Sequence, residues 1–323
     1  MYKISVALIG LIILVGQGCF AQDVAAEKNG SLRYIKNNRI TLGIDLTLGG
    51  AVTYLSDQAN GGKNMINSYD WGRQIQMSYY SGPWPYIGPK GERPTPEWEG
   101  LGWNPIQSGD AGGNRSQILS FEQRGDSSFY VRSVPMQWPH RSGVAGECVF
   151  ACLYTLRDHV ITMEATIINN RRDSTQYRAG SQEMPAVYTN GPWYQLVTYL
   201  GDAPFTGRPT EILVDKLDQK GWPWIHFYTP ENWVALLDKQ GYGIGVFQPE
   251  VMNFNGGFHP NDSHKGEGLE KDVATGHIAP VGTQILDYNI VWTYKTSFVL
   301  GTVNDIRSYA QANWQVPINP VWE

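Results

Sequence analysis

The chain is poor in charge, in cysteine and in histidine. Of its 323 residues only 17% are Asp, Glu, Lys or Arg, with Lys+Arg 25 against Asp+Glu 30, and there are Cys 3 and His 6. An acidic balance without a basic run lacks the electrostatic footprint of a nucleic-acid binder. No P-loop, dinucleotide-binding glycine fingerprint or Gly-x-Ser-x-Gly elbow occurs, which sets aside NTPase, Rossmann and esterase readings. Beyond the N-terminus no run approaches the ~20 apolar residues of a membrane-spanning helix. Cys148 and Cys152 stand i, i+4 in a strand-like segment, roughly 13 Å apart at ~3.3 Å per residue. A disulfide needs Cα atoms within about 7 Å, so they read as small buried hydrophobes and not as a bridge, a metal site or a nucleophile.

What the chain has in quantity is aromatic surface and glycine: Trp 12, Tyr 18, Phe 10, Gly 36, Pro 19, with 41% hydrophobic residues. That composition supports a folded core and fits a secreted β-protein. The N-terminus agrees. Lys3, the apolar run Ile4 to Val15 and the small residues up to Ala21 form a secretory signal, with cleavage expected after Ala21. Lipid attachment at Cys19 is the rival, but Gly16 stands where a lipoprotein signal usually carries a larger aliphatic residue.

Strand signals fill the chain from residue 40 to 300, with no helical period, linker or internal repeat. Three hairpins are expected: Ile40 to Leu46 with Val52 to Leu55, Cys148 to Leu156 with Val160 to Ile168, and Trp233 to Leu237 with Tyr242 to Phe247. A fourth long strand is expected from Ile285 to Leu300, then one short helix from Asn304, its N-cap, to Gln311. The economical fold is all-β: one large antiparallel β-sandwich over residues 22–323. A Trp/Pro-rich loop at about 79–113 interrupts it, long enough to suggest a functional role.

Two polar constellations flank that loop. Read as a strand from Arg73, the residues Gln74, Gln76, Ser78 and Tyr80 share one face, next to Asp70 and Trp71. Such a stripe of amides and hydroxyls suits sugar recognition. Its plain alternative is a solvated sheet face. In the loop, Trp84 and Trp103 offer stacking planes, and Asn104, Gln107, Asp110, Asn114 and Arg115 offer polar contacts. Both tryptophans are expected to line a ligand cleft. The alternative is a Gly-rich structural turn. Asp110 is also a candidate ligand for a structural calcium ion, the only cofactor considered.

Tyr154 to Asn170 resembles the mid-domain hairpin of galactose-mutarotase-like supersandwich proteins, where two strands joined by a polar turn end in Asn just before an active-site residue. Gly49 to Leu55, with Asn64 to Asn67, is similar to the opening hairpin of that group. The resemblance implies a β-supersandwich and a carbohydrate-directed site. The pattern departs from mutarotases where they carry a His-bearing motif, since this chain has Ser181-Gln182-Glu183-Met184-Pro185-Ala186-Val187-Tyr188. Plain sugar epimerisation is therefore not expected. The wider group implied includes polysaccharide lyases and hydrolase domains.

Glu183 is the favoured catalytic residue, because a glutamate in a rigid, partly buried setting can serve as general acid or base. Arg73 is expected near it, and Tyr188 as a substrate contact. Hydrolysis of a poly- or oligosaccharide would pair Glu183 with Asp70 or Asp110. The alternatives are a lyase, using Tyr79 or Tyr80 as base with Arg73, Arg115 and His140 neutralising a uronate, and a non-catalytic carbohydrate-binding protein. His140 with Arg141 is a candidate acid or charge-neutralising pair at the cleft rim, its plain alternative being an ordinary surface position, and His159 is expected in a hairpin turn. His259, Asp262 and His264 make only a weak metal-binding pattern. Oligomeric state is left open.

The signal reading makes one direct expectation. N-terminal sequencing of the exported protein should start at Gln22. A start at a lipid-modified Cys19 would replace export by cleavage with membrane anchoring.

Overall fold

Alternation of apolar residues produces the three expected hairpins. Ile40–Asp45 pairs with Ala51–Asp57, Cys148–Arg157 with Val160–Asn169, and Trp233–Leu237 with Tyr242–Phe247. In the second hairpin Ile161, Met163, Ala165 and Ile167 stand opposite Leu156, Tyr154, Cys152 and Phe150, and all eight are buried. One face of the ribbon thus belongs wholly to the core. Cys148 and Cys152 are buried free thiols on it.

The structure, a computed structural model, describes residues 31–214, 224–259 and 268–315. The signal segment, Cys19, Asp262 and His264 lie outside them. Two antiparallel sheets face each other. The first, of 10 strands, runs Leu32–Lys36, Ile40–Asp45, Ala51–Asp57, Ile75–Ser78, Gly180–Asn190, Thr275–Gln284, Asn253–His259, Ile225–Tyr228, with the short Pro105–Ile106 and Met136–Gln137 attached beside Ile75–Ser78. The second, of 9, runs Glu211–Val214, Gln195–Thr198, Trp233–Leu237, Tyr242–Phe247, Val291–Thr302, Val160–Asn169, Cys148–Arg157, Ser128–Val134, Gln117–Arg124. Among the described residues no helix is long and apolar enough to cross a membrane.

Aromatic contacts and a few polar clasps join the sheets. Tyr79 meets Phe150 edge-on at 5.2 Å and its hydroxyl lies 3.4 Å from that of Tyr294. Thr296 Oγ1 donates to the Met184 carbonyl at 2.6 Å. Asp57 is fully buried and accepts from Arg39 Nε at 2.9 Å and from the Tyr242 hydroxyl, which ties the first hairpin to the second sheet.

Two boundaries differ from expectation. The late strand begins at Val291, not Ile285, because a turn with Asn289 in a left-handed backbone (φ 58°) separates it from the strand Thr275–Gln284. Asn is among the few residues that tolerate that conformation. The helix spans Val303–Asn313, and its N-cap is Thr302, not Asn304. Thr302 Oγ1 accepts from the Asp305 N–H while the Asp305 carboxylate accepts from the Thr302 N–H at 2.9 Å, a reciprocal capping box.

The Trp/Pro-rich segment is ordered by pairing across it. Ser81 bridges Trp103, and Ile106 pairs both Ser78 and Met136. Arg171 clamps it from below: its buried Nη2 donates to the Gly82 carbonyl at 2.7 Å, and its guanidinium lies 4.9 Å from the Trp103 ring and 5.1 Å from the Tyr177 ring. Gly49 fastens the other end. Its φ is +63°, its carbonyl accepts from Gln107 Nε2 at 3.0 Å, and a Cβ there would lie 2.1 Å from the Gln107 carbonyl oxygen. Gly49→Ala should lower unfolding free energy by at least about 1–2 kcal/mol from the backbone conformation alone. A denaturant titration with an unchanged midpoint would contradict this reading of the turn.

Candidate active site

A cavity of about 390 Å³ opens on the face of the first sheet turned away from the core. Its floor comes from the strands Ile75–Ser78, Gly180–Asn190 and Thr275–Gln284, and its roof from the Trp/Pro-rich segment. Glu183 and Tyr188 both line it, although they are five residues apart and would face opposite sides of a regular strand. A bulge reconciles them. From Glu183 to Val187 the strand takes four steps while its partner takes three, Val281 to Ile278. The extra residue restores the parity, so Met184 and Val187 enter the core while Glu183 and Tyr188 face the cavity.

Glu183 is held by groups that carry protons. Its Oε2 accepts from the Tyr80 hydroxyl at 3.1 Å, its Oε1 lies 3.4 Å from His277 Nε2, and its side chain is 15% exposed. His277 is buried, and the same Nε2 lies 3.1 Å from Asn255 Oδ1. In the tautomer protonated at Nε2, the imidazole N–H has both oxygens as acceptors within reach. The Tyr188 and Trp224 rings pack against the imidazole with centroids 4.4 and 4.8 Å away and planes tilted by 36° and 32°, and they also meet each other edge-on at 6.3 Å. Burial, then the Glu183 charge, pushes the Tyr80 hydroxyl well above the ordinary phenol range, and the same causes raise Tyr188. Tyr80 is therefore a donor to Glu183 and not a base at neutral pH.

A second carboxylate stands in the cavity. Asp70 is 45% exposed at the side chain, with Arg73 Nε 3.4 Å away. Arg73 also lines the cavity, but its Nη1 donates to the Val273 carbonyl at 2.9 Å and reaches Asn67 Oδ1 at 3.2 Å. Its hydrogen bonds anchor the Asp70 corner rather than Glu183, contrary to expectation. Trp98 and Trp138, 5.9 Å apart, form an aromatic wall, while Tyr188 and Trp224 line the cavity beside His277. Asn104 lines it too: its Nδ2 donates to the Tyr79 carbonyl at 2.7 Å, and its buried Oδ1 has no protein partner.

The cavity thus gathers Glu183, Arg73, Asp70, Tyr80, Asn104 and Tyr188 from the residues proposed on sequence grounds. The others serve the scaffold. Tyr79 is fully buried in the core, where burial pushes its hydroxyl well above the ordinary range, so it is not a base in the site. Gln74 and Gln76 do not form a ligand stripe. Gln74 has φ 73° and donates to the Asp70 carbonyl at 2.6 Å, and Gln76 donates to the Arg73 and Trp71 carbonyls and accepts from Ser108. Gln107 is similarly consumed, accepting from Met77 N and donating to Gly49.

Asp110 is a loop staple. It is buried, and its two oxygens accept from the N–H groups of Gly112, Asn114 and Gly143 and from Asn114 Nδ2. That places neither Asp110 nor Asn114 in the cavity. Arg115 sits over Trp71 at 5.7 Å, again outside it. Neither predicted stacking tryptophan lines the cavity. Trp103 is fully buried under Arg171, and Trp84 is 46% exposed against Tyr177 on another surface. His140 is not at the rim: it is buried beside Tyr86, 5.7 Å between rings, and burial pushes its pKa down. His259 lines the cavity, and among the described residues no group of three or more His, Cys, Asp or Glu side chains is close enough to hold a metal ion.

Sequence reasoning missed His277, Asn255 and Trp224, and gave Trp98 and Trp138 no role in the site. A signal existed for His277: it stands among small and apolar residues in Thr275-Gly276-His277-Ile278-Ala279, a consecutively buried stretch where an imidazole needs a partner.

No protein-family profile matches the chain, and no curated protein matches it. Solved structures do. A galactose mutarotase-like protein from Lactobacillus casei ATCC 334 superposes with a TM-score of 0.50 at 13% identity, covering 83% of this chain and 99% of that one. A candidate aldose 1-epimerase from Escherichia coli K12 gives 0.50 at 11%, covering 84% and 99%. At such identities the likeness concerns architecture. The chain has the galactose-mutarotase-like β-sandwich fold.

Proposed function

We propose that the protein is a carbohydrate-active enzyme that cleaves a glycosidic bond, with Glu183 as its general acid or base. The observation that carries this is the setting of Glu183: a largely buried carboxylate in an aromatic-walled cavity, flanked by the Tyr80 hydroxyl at 3.1 Å and His277 Nε2 at 3.4 Å. Proton transfer to a glycosidic oxygen needs a carboxyl group held in place and supplied with hydrogen-bond partners, and this one is. Aromatic faces such as Trp98, Trp138 and Trp224 offer the flat apolar surface on which sugar rings stack. The fold supports the carbohydrate part of this reading, since the two structural neighbours are named for sugar chemistry.

Asp70 is the second carboxylate in this reading, because Asp110 is committed to its loop. Asp70 acts on the face of the sugar opposite Glu183, as nucleophile or as base toward water, the division of labour that two-carboxylate hydrolysis requires. His277 is a positioning residue: it lies 3.4 Å from Glu183, held by Asn255 and by the packing of the Tyr188 and Trp224 rings. Lyase chemistry finds less support. Its tyrosine bases are strongly disfavoured from ionising, and the Arg73 charge is shared with Asp70.

Glu183→Gln should lower turnover of a responsive glycan by about 10²–10⁴-fold, with affinity nearly unchanged because the amide still hydrogen-bonds. Tyr80→Phe removes one bond to a charged group, for which a loss of about 10–100-fold is expected. Kinetics on a panel of oligosaccharides check both. Near-normal turnover by Glu183→Gln would move the chemistry elsewhere, and binding without turnover by the wild type would make this a binding protein. Trp138→Ala should weaken oligosaccharide binding by about 1.5–3 kcal/mol, the value of one large buried apolar side chain. Calorimetric titration of a folded variant with unaltered affinity would remove Trp138 from the sugar-binding wall.

A further inference from the structure

The charge on the cavity wall bears on which sugars fit. Three hydroxyl protons at the wall are already given away. Tyr80 donates to Glu183 at 3.1 Å, Ser78 donates to the Tyr80 oxygen at 3.2 Å, and Thr275 donates to the Thr189 carbonyl at 2.9 Å. The ionisable oxygens left facing a ligand are acceptors, the Glu183 and Asp70 carboxylates. Sugar hydroxyls are donors and satisfy such atoms. An ionised carboxylate has only lone pairs to offer.

Charge points the same way. Two carboxylates line the cavity, and among its described lining residues the only guanidinium or ammonium is Arg73. That guanidinium is held by Asp70 through Nε at 3.4 Å and by the Val273 carbonyl and Asn67 through Nη1 at 2.9 and 3.2 Å. The Trp98 and Trp138 indole groups supply neutral surface and do not neutralise a ligand anion. A uronate entering next to Glu183 would desolvate its charge beside like charges, with no bidentate cation to receive it.

From this arrangement of acceptors and charge we propose that the site takes neutral saccharides and rejects those oxidised to the carboxylate at C6. The inference rests on the carbohydrate reading of the cavity, and it names the substrate class within that reading. Selectivity here comes from unmatched polarity rather than from shape. A C6 alcohol and a C6 carboxylate differ little in size, so pocket volume alone would discriminate poorly.

The test uses matched pairs of short thio-linked oligosaccharides, neutral and C6-oxidised, in the gluco, galacto and manno series, with binding followed by tryptophan fluorescence and calorimetry. In any series that binds, the oxidised member should bind at least about 10-fold more weakly at low salt. The gap should shrink as salt screens charges over a Debye length of about 10 Å at 0.1 M. Asp70→Asn keeps the shape of the side chain and should narrow the gap between the oxidised and neutral members, with circular dichroism showing that the variant is folded; a gap as wide as in the wild type overturns the proposal. An oxidised ligand binding as well as or better than its neutral partner overturns the proposal and leaves Glu183 chemistry standing. Failure of every pair to bind overturns the carbohydrate reading and this inference with it. Loss of turnover in Glu183→Gln touches neither result, so the two readings fail separately.

Discussion

A β-strand has two faces, and Gly180–Asn190 must serve a dry core on one and a polar cavity on the other. Strict alternation gives each residue one side by parity alone, and Glu183 and Tyr188 have opposite parity. The one-residue bulge between Glu183 and Val187 resolves this. It lets Met184 and Val187 keep their place in the core while both polar residues reach the same cavity. Everything at the site depends on that slip. His277 stands directly opposite Tyr188 in the ladder, and Ser78 directly opposite Glu183, so the neighbouring strands are set in register with the bulge on both sides.

The fold was legible where one face of a ribbon is apolar. Residues 148 to 168 show this, since a slip by one would have turned every buried side chain to water. Boundaries were less legible. Asn304 looks like a helix cap by type, yet Thr302 holds the position because Asp305 can reciprocate. The strands of the first sheet outside its opening hairpin were harder to see. They carry polar residues on the cavity side and glycines such as Gly276 and Gly282 on the core side, and that mixture dilutes the period on which strand recognition rests.

The site was half legible for a related reason. Glu183 could be singled out because a carboxylate in a rigid, mostly apolar strand asks for an explanation. Polar residues of the loop could not be sorted by type. Gln74, Gln76, Gln107 and Asp110 look like ligand-binding groups, but irregular backbone buried under a roof needs side chains to satisfy its amides and carbonyls. Those residues do that: Gln76 alone serves the carbonyls of Trp71 and Arg73 and the amide of Ser108. Asn104 differs from them in one atom, the Oδ1 left over after its bond to Tyr79. Likewise nothing in sequence spacing separates Trp103, which fills the core, from Trp98, which faces the cavity. That division is made by which side of a short strand pair each one falls on.

Arg171 has a consequence for how the roof behaves in time. Its guanidinium contacts the Trp103 and Tyr177 rings and is bonded to the Gly82 carbonyl, so lifting the segment would expose an aromatic core residue and leave the buried cation with only the Asp173 carboxylate at 3.1 Å. Hinged lids are drawn from regions with few such ties. This roof belongs instead to the same cooperative unit as the sandwich, and its amide protons should exchange with those of the core rather than with surface loops. Little ordering entropy is then left to lose when a sugar arrives. A chain built this way trades the breadth of an adaptable cleft for a fixed mould, and new sugar preferences would have to be made one side chain at a time along its rim.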